Sequence, residues 1–311
     1  MILVAGLTPA WQQVMVFHSF RYGEVNRAAK VLWMAQGKVI NVGIGVHCLG
    51  VPSLTLAPLG GPPLAAINRE LNELGVPRRW IVTESATRVC TTLLDRSRGG
   101  ITELVENGRA LKADELAEFV RVYAEEAAKA DLAVISGSLP AGTPSGFYRE
   151  LVARTPCPAV LDFRGEGLLA TLDLRPLVVK PNREELAQTV GHPLESDEPL
   201  IAAMRSLNQQ GAQWVLITHG AGPIWLTSAT KTYRVQPLPA EEIVNPIGSG
   251  DAMAAGVAWA IHQGRVMPDA VRFGVAAAHE NLRRLETCRL DSERVKEQAG
   301  RVRVEEIAFG I

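Results

Sequence analysis

Cysteine is scarce in this chain: Cys48, Cys90, Cys157 and Cys288 are widely spaced among 311 residues. That spacing gives neither a disulfide framework nor a zinc-like pair, so reduced thiols in a cytoplasmic protein are expected. The six histidines are equally scattered. His279 and Glu280 adjoin, but adjacent helical residues do not face each other, and structural roles are expected for both. No apolar run approaches the ~20 residues that span a bilayer, and Met1 to Leu7 has neither the basic flank nor the length of a signal peptide. It reads as a buried first strand. A net charge of −1 supplies no field for capturing nucleic acid or a membrane surface. There is no Gly-x-x-x-x-Gly-Lys-Ser/Thr loop, so any nucleotide must be held by other means than a P-loop. Repeats, linkers and low-complexity tracts are absent too.

What the chain does have is a hydrophobic content of 47%, enough for one large α/β domain. Strand-like runs are expected at Met1 to Leu7, Ser53 to Pro58, Leu132 to Ser136, Ala159 to Asp162, Leu177 to Lys180 and Trp214 to Thr218. Between them lie helical patterns at Gly37 to Leu49, Leu64 to Leu74, Ala113 to Ala130, Ser145 to Ala153, Arg183 to Val190 and Pro199 to Gln209. That alternation is the pattern of a parallel sheet covered by helices on both faces. Two segments break the rhythm, Val14 to Ala35 and Thr87 to Asn107. Both read as antiparallel strands, the second turning at Arg96 to Gly100.

The densest chemistry lies in Asn245-Pro246-Ile247-Gly248-Ser249-Gly250-Asp251, just before an alanine-rich helical run. Glycines permit a tight turn, and the first N–H groups of a helix have no internal partner, so this corner suits an anion such as phosphate. Asp251 could accept a proton from an attacking hydroxyl while the amides hold developing charge. On the motif alone, Asp251 could equally be a helix cap beside two turn glycines.

The context of that turn resembles the ribokinase-like (PfkB) carbohydrate kinase family, in particular its 1-phosphofructokinase and tagatose-6-phosphate kinase branch. The matching segments run in order along nearly the whole chain: Leu7 to Ala10, Tyr22 to Arg27, Gly37 to Val42, Thr87-Arg88, Thr102 to Leu104, Ser136 to Pro140, Lys180 to Glu185, Gly248 to Asp251, and Asn281. The resemblance implies a three-layer α/β/α sandwich with a mainly parallel central sheet and a small β-sheet lid. We expect one domain over 1–311, with lid segments at about 11–36 and 86–109. It implies ATP and Mg²⁺ as cofactors, Asp251 as catalytic base, and Gly248, Ser249 and Gly250 as the anion hole. Substrate contacts fall on Gln12, Gly37, Lys38, Asn41, Arg88 and Ser138, and ATP contacts on Lys180, Asn182, Thr218, Gly220 and Asn281. Asn182 and Glu185, three apart at a helix start, would organise Mg²⁺ through waters, although an Asn cap followed by acids is also ordinary helix chemistry. Lys180 could face the nucleotide or simply solvate a strand end. The expected partners are a sugar or sugar phosphate and ATP, and the lid is where a homodimer contact could form.

The same comparison shows departures at the sugar site. Relatives carry Asn-Pro-Ala-(Leu/Ile)-Asp where this chain has Thr8-Pro9-Ala10-Trp11-Gln12, so a carboxylate has become an amide and the preferred hydroxyl pattern should change. Gln36 and Val39 replace glycines of the first substrate loop. Because valine resists positive φ, the loop takes another path, or the relatives' glycine serves close approach. Cys90 and Thr92 stand where relatives have Asn and Lys, leaving Lys38 and Arg88 as candidate phosphate ligands. The expectation is a kinase of the sugar-phosphate type. A kinase for an unphosphorylated sugar or nucleoside, or a non-catalytic sensor on the same fold, are the alternatives.

Overall fold

A computed structural model describes residues 1–307. The last four residues of the domain expected over 1–311 lie outside them. Along the chain, β1 (Ile2–Ala5) is followed by β2 (Ala10–Phe17), β3 (Lys30–Gln36), α1 (Lys38–Cys48), β4 (Ser53–Gly60), α2 (Pro63–Glu73), β5 (Arg78–Thr83), β6 (Arg88–Asp95) and β7 (Gly100–Val105). Next come α3 (Ala113–Ala127), β8 (Leu132–Ser136), α4 (Phe147–Ala153), β9 (Ala159–Asp162), α5 (Glu166–Leu169), β10 (Val178–Val179), α6 (Arg183–Val190) and α7 (Asp197–Gln209). The chain continues through β11 (Trp214–Ile217), β12 (Ile224–Thr227), β13 (Thr232–Val235), α8 (Ser249–His262), α9 (Met267–Leu282), α10 (Ser292–Ala299) and β14 (Val304–Glu306).

Ten strands form one sheet in the order β14-β13-β12-β11-β10-β9-β8-β1-β4-β5. It is parallel from β5 to β11 and antiparallel beyond. Its central strands are buried on both faces, so they carry apolar runs in place of alternation. One face packs on α1, α2, α8 and α9. The other packs on α3, α4 and α7. The result is the three-layer arrangement that the alternating pattern implies. The edge strand β5 and the antiparallel strands β12 to β14 were not anticipated.

β3, β2, β6 and β7 form a second, four-stranded sheet. Both expected antiparallel pairs are present, and β2 and β6 join them in parallel. Side chains in register share a face. Gln12 pairs with Cys90, Cys90 with Val105, and Thr92 with Glu103, which brings these residues to one side. Farther along, that side closes over a small core of Val14, Val16, Met34 and Leu94.

Helices α8 and α9 meet through glycine. A Cβ on Gly256 would lie 2.5 Å from the Phe273 carbonyl oxygen and 2.9 Å from the Ala277 Cβ. Alanine would gain about 1 kcal/mol of helix propensity, but overpacking costs about 1–3 kcal/mol and backbone cannot move aside cheaply. Gly256→Ala is therefore expected to lower the urea midpoint with m unchanged; an equal or higher midpoint would show that the interface yields.

Candidate active site

The parallel strands end at a common edge, where open α/β sheets bind their ligands. There the turn before α8 takes shape around Gly248, whose φ of 79° is left-handed. The Asn245 side-chain oxygen accepts from the Ile247 amide at 3.1 Å, and its NH₂ donates to the Leu285 carbonyl at 3.0 Å. Asn281 secures the other side. Its NH₂ donates to the Ile247 carbonyl (2.9 Å) and reaches Ser249 Oγ (3.1 Å), while its oxygen accepts from the Cys288 amide (2.8 Å). Asn281 is thus buried behind the turn and lines neither of the two cavities that meet there. With the Ile247 and Ser249 amides already engaged, the amides of Gly248, Gly250 and Asp251 are left without partners among the described residues. Amides left free at a helix start are donors that an anion could use.

Asp251, in the first turn of α8, is buried and oriented by a directed chain of hydrogen bonds. Gln36 Nε2 donates to Thr287 Oγ1 (3.2 Å), Thr287 donates to Asn41 Oδ1 (3.1 Å), and Asn41 Nδ2 donates to Asp251 Oδ2 (2.7 Å). Thr287 was missed in the sequence because it lies in a loop and belongs to no motif. The Gln36 substitution, noted there only as a lost glycine, anchors this chain. Gly37 alone supplies the positive φ, 94°, and Val39 is an ordinary residue of α1, so the lost glycine needs no unusual path.

Beneath Asp251 is a charge cluster. Asp162, at the end of β9 with no exposure, lies 3.1 Å from Lys38 Nζ and 3.4 Å from Lys180 Nζ. Lys180 is therefore buried in a pair and is not solvating a strand end. Lys38 also reaches Glu185 Oε1 at 3.3 Å. Burial would discharge Lys38, but Asp162, Glu185 and Asp251 together outweigh it and hold the ammonium strongly protonated. Burial likewise opposes ionisation of Asp162, yet the two lysines keep its carboxyl below the usual range. Asp251 goes the other way. Desolvation, joined by the charge of Asp162, pushes it up to about 6 against the opposing pull of Lys38. Such a carboxylate is poised to take a proton near neutral pH.

Asn182 and Glu185 close a capping box at the start of α6: Asn182 Oδ1 accepts from the Glu185 amide (2.8 Å) and Glu185 Oε2 from the Asn182 amide (2.9 Å). The helix-capping role is thus present, and Glu185 Oε1 remains directed at the cavity beside Lys38.

Two cavities of about 530 Å³ each meet at the glycine turn, sharing Thr218, Gly220, Pro246, Ser249 and Gly250. The polar one contains Gln12, Gly37, Lys38, Asn41, Arg88, Lys180, Asn182, Glu185 and Asp251 from the sequence reading, and adds Glu103 and Asp162. The other is apolar, walled by Ile224, Leu238, Pro239, Ile243, Val275 and Leu282. Ala278 lines it, whereas Ala277 is buried between helices. His279 reaches its rim, with its Nε2 3.1 Å from the Pro239 carbonyl oxygen. Ser138 belongs to an adjoining chamber that shares Lys38, Arg88, Glu103, Val105 and Glu185 with the polar cavity. Arg88 donates three of its five guanidinium N–H groups to main-chain carbonyls, those of Pro9 (3.4 Å), Glu106 (3.1 Å) and Thr8 (3.2 Å).

A glycine turn with unpartnered amides between an apolar and a polar cavity, with a buried carboxylate at its edge, is a layout suited to phosphoryl transfer. The family model for pfkB family carbohydrate kinases matches residues 3–293, and the chain belongs to that family. It is accordingly a sugar kinase, with an alcohol group as phosphoryl acceptor. In fold it is similar to a possible 1-phosphofructokinase of Thermotoga maritima (TM-score 0.90, 24% identity, 99% of this chain and 100% of that one). Phosphofructokinase-2 of Escherichia coli superposes with a TM-score of 0.87 at 23% identity, covering 96% and 98% of the two chains. For ribokinase of Arabidopsis thaliana the values are 0.74, 21%, 96% and 98%.

Asp251→Asn is expected to lower turnover by on the order of 10²–10⁴. The fold raises the pKa of Asp251, so its stabilising contribution is complete below an unfolded value near 3.8 and is lost as pH rises through about 6. The variant should therefore melt higher than wild type at pH 8 and nearly equal to it at pH 4. Near-normal turnover, or a melting difference independent of pH, would contradict the assignment.

Proposed function

We propose that this protein transfers the γ-phosphoryl group of ATP to a hydroxyl of a sugar or close derivative, with Asp251 as the base. One observation carries the reading: the glycine turn with its unpartnered amides lies at the junction of the two cavities. The apolar cavity suits a base and ribose, and the polar one an acceptor rich in hydroxyls. An acceptor hydroxyl donating to Asp251 would be deprotonated as its oxygen attacks the γ-phosphorus in line. The Gly248, Gly250 and Asp251 amides then hold the charge spread over the transferring group. Lys180, 3.7 Å from where a Cβ on Gly250 would sit, adds positive charge at that point.

The residues present fit Mg²⁺. Glu185 Oε1 is directed at the polar cavity beside the glycine turn, and Mg²⁺ keeps most of its waters and is held by one or two carboxylates together with nucleotide phosphates. Glu185, with Asn182 beside it, would hold it through water, and the ion supplies neutralisation of phosphate charge. The small sheet serves as a lid that excludes water from the transfer. Its outer face, where Trp11 and Trp33 stack at 6.0 Å and Trp33 is 46% exposed, is the surface on which a second copy of the chain would dock. No described helix is long and apolar enough to cross a membrane. The four free cysteines support a reducing, cytoplasmic setting.

The phosphorylated-ketose reading assigns the acceptor's phosphate to Lys38 and Arg88. Both are already committed, Lys38 to Asp162 and Glu185 and Arg88 to main-chain carbonyls. Acceptor-dependent ADP release with Mg-ATP tests the function; ATP binding with no release over a broad acceptor panel would replace the kinase with a sensor. Glu185→Gln is expected to raise the Mg²⁺ concentration for half-maximal rate by roughly 10–100-fold, and an unchanged requirement would remove Glu185 from the metal's surroundings.

A further inference from the structure

The polar cavity has a reacting end at Asp251 and a far end formed by the small sheet. That far end is built from Gln12, Thr92 and Glu103, which the strand register brings to one face. Thr92, fully buried, lies 2.8 Å from Gln12 Nε2 and 3.5 Å from Glu103 Oε1. A hydroxyl has one proton, and an ionised carboxylate can only accept. The Thr92 proton therefore goes to Glu103, and the Thr92 oxygen must accept from the Gln12 NH₂. This fixes the amide orientation: the Gln12 carbonyl oxygen, without a partner among the described residues, is left for the cavity. Glu103 makes no ion pair among the described residues, and it too presents carboxylate oxygens to the cavity.

This end of the site thus offers hydrogen-bond acceptors. Burial pushes the Glu103 carboxyl above its ordinary value, against the pull of the Thr92 hydroxyl and the Arg88 charge; ionised, it gives a phosphate ester, itself only an acceptor and doubly charged, a like charge and no donor. Sugar hydroxyls find the partners they need. Nor is positive charge in surplus nearby. Carboxylates outnumber cations among the lining residues, five to four. Three N–H donors of Arg88 are taken by carbonyls, and Lys38 and Lys180 are held by Asp162.

Resting on the kinase reading above, we infer that Gln12, Thr92 and Glu103 select an acceptor whose non-reacting end is an unphosphorylated, hydroxyl-bearing group, and that Glu103 is the residue that turns phosphate esters away. Glu103 and Gln12 touch the acceptor. Thr92 is a positioning residue that acts by locking the Gln12 amide.

The test compares matched pairs, a free hexose, pentose, polyol or nucleoside against the same molecule carrying a phosphate at the non-reacting end. ADP release with Mg-ATP gives kcat/KM for wild type, Glu103→Gln and Thr92→Val. The wild type should favour the free member of the best pair by on the order of 10²-fold. Glu103→Gln should cut that ratio about tenfold, chiefly by lowering KM for the phosphorylated member. Thr92→Val should raise KM for the free member with kcat less affected. A wild type that favours the phosphorylated member would overturn the inference and leave the kinase intact. A preference for the free member that neither variant alters would also overturn it, because discrimination would then lie elsewhere. Failure of every pair, with ATP still bound, would take down the kinase reading and this inference together.

Discussion

One buried carboxylate between two ammonium groups organises this site. Asp162 has no exposure, accepts from Lys38 and Lys180, and lies 3.3 Å from Ser136 Oγ. Removing one partner of such a buried pair typically costs about 3–5 kcal/mol, because the charge left behind has no water to turn to. Lys38 opens α1, Lys180 follows β10, and Asp162 ends β9, so a single set of contacts ties three separate segments to one point. Desolvation raises the Asp251 carboxyl, and this cluster sets how far the rise goes. The lysines are largely matched by Asp162 and Glu185, so they only partly offset the desolvation of Asp251.

The fold sets the rest by placing strand ends side by side. Apolar walls arise where the antiparallel strand β12 meets α9, and polar ones where β9, β10 and the small sheet converge. The turn before α8 stands between them because Gly248 can take a left-handed conformation that no side chain favours; a Cβ there would also press on Thr287 at 3.0 Å.

Much of this was legible in the sequence for a physical reason: the central strands and their helices are read from local periodicity, and the glycine turn from residues only it requires. Edge strands were harder. β5 opens with Arg78 and Arg79, and β14 is three residues long, so neither shows the apolar run of a central strand. Long-range partnerships were invisible. Thr287 and Gln36 meet Asn41 and Asp251 only through the fold, and nothing local marks Thr287. Asn281 was identified by position, yet its buried side chain holds the glycine turn and lines neither cavity. Arg88, expected to bind phosphate, lines the polar cavity and also tethers the small sheet to the segment after β1, a contact that no local pattern marks. Glu103 was quoted in a matching segment and given no role, because only the strand register shows that it faces the cavity.

The role of Asp251 as a base depends on its ionisation, and carbon-13 titration of its carboxyl group, assigned by difference from Asp251→Asn, measures that directly. It should titrate near pH 6. A midpoint near the ordinary carboxyl value of about 4 would contradict it, since the carboxylate would then be a solvated helix-capping group with no special affinity for an acceptor's proton.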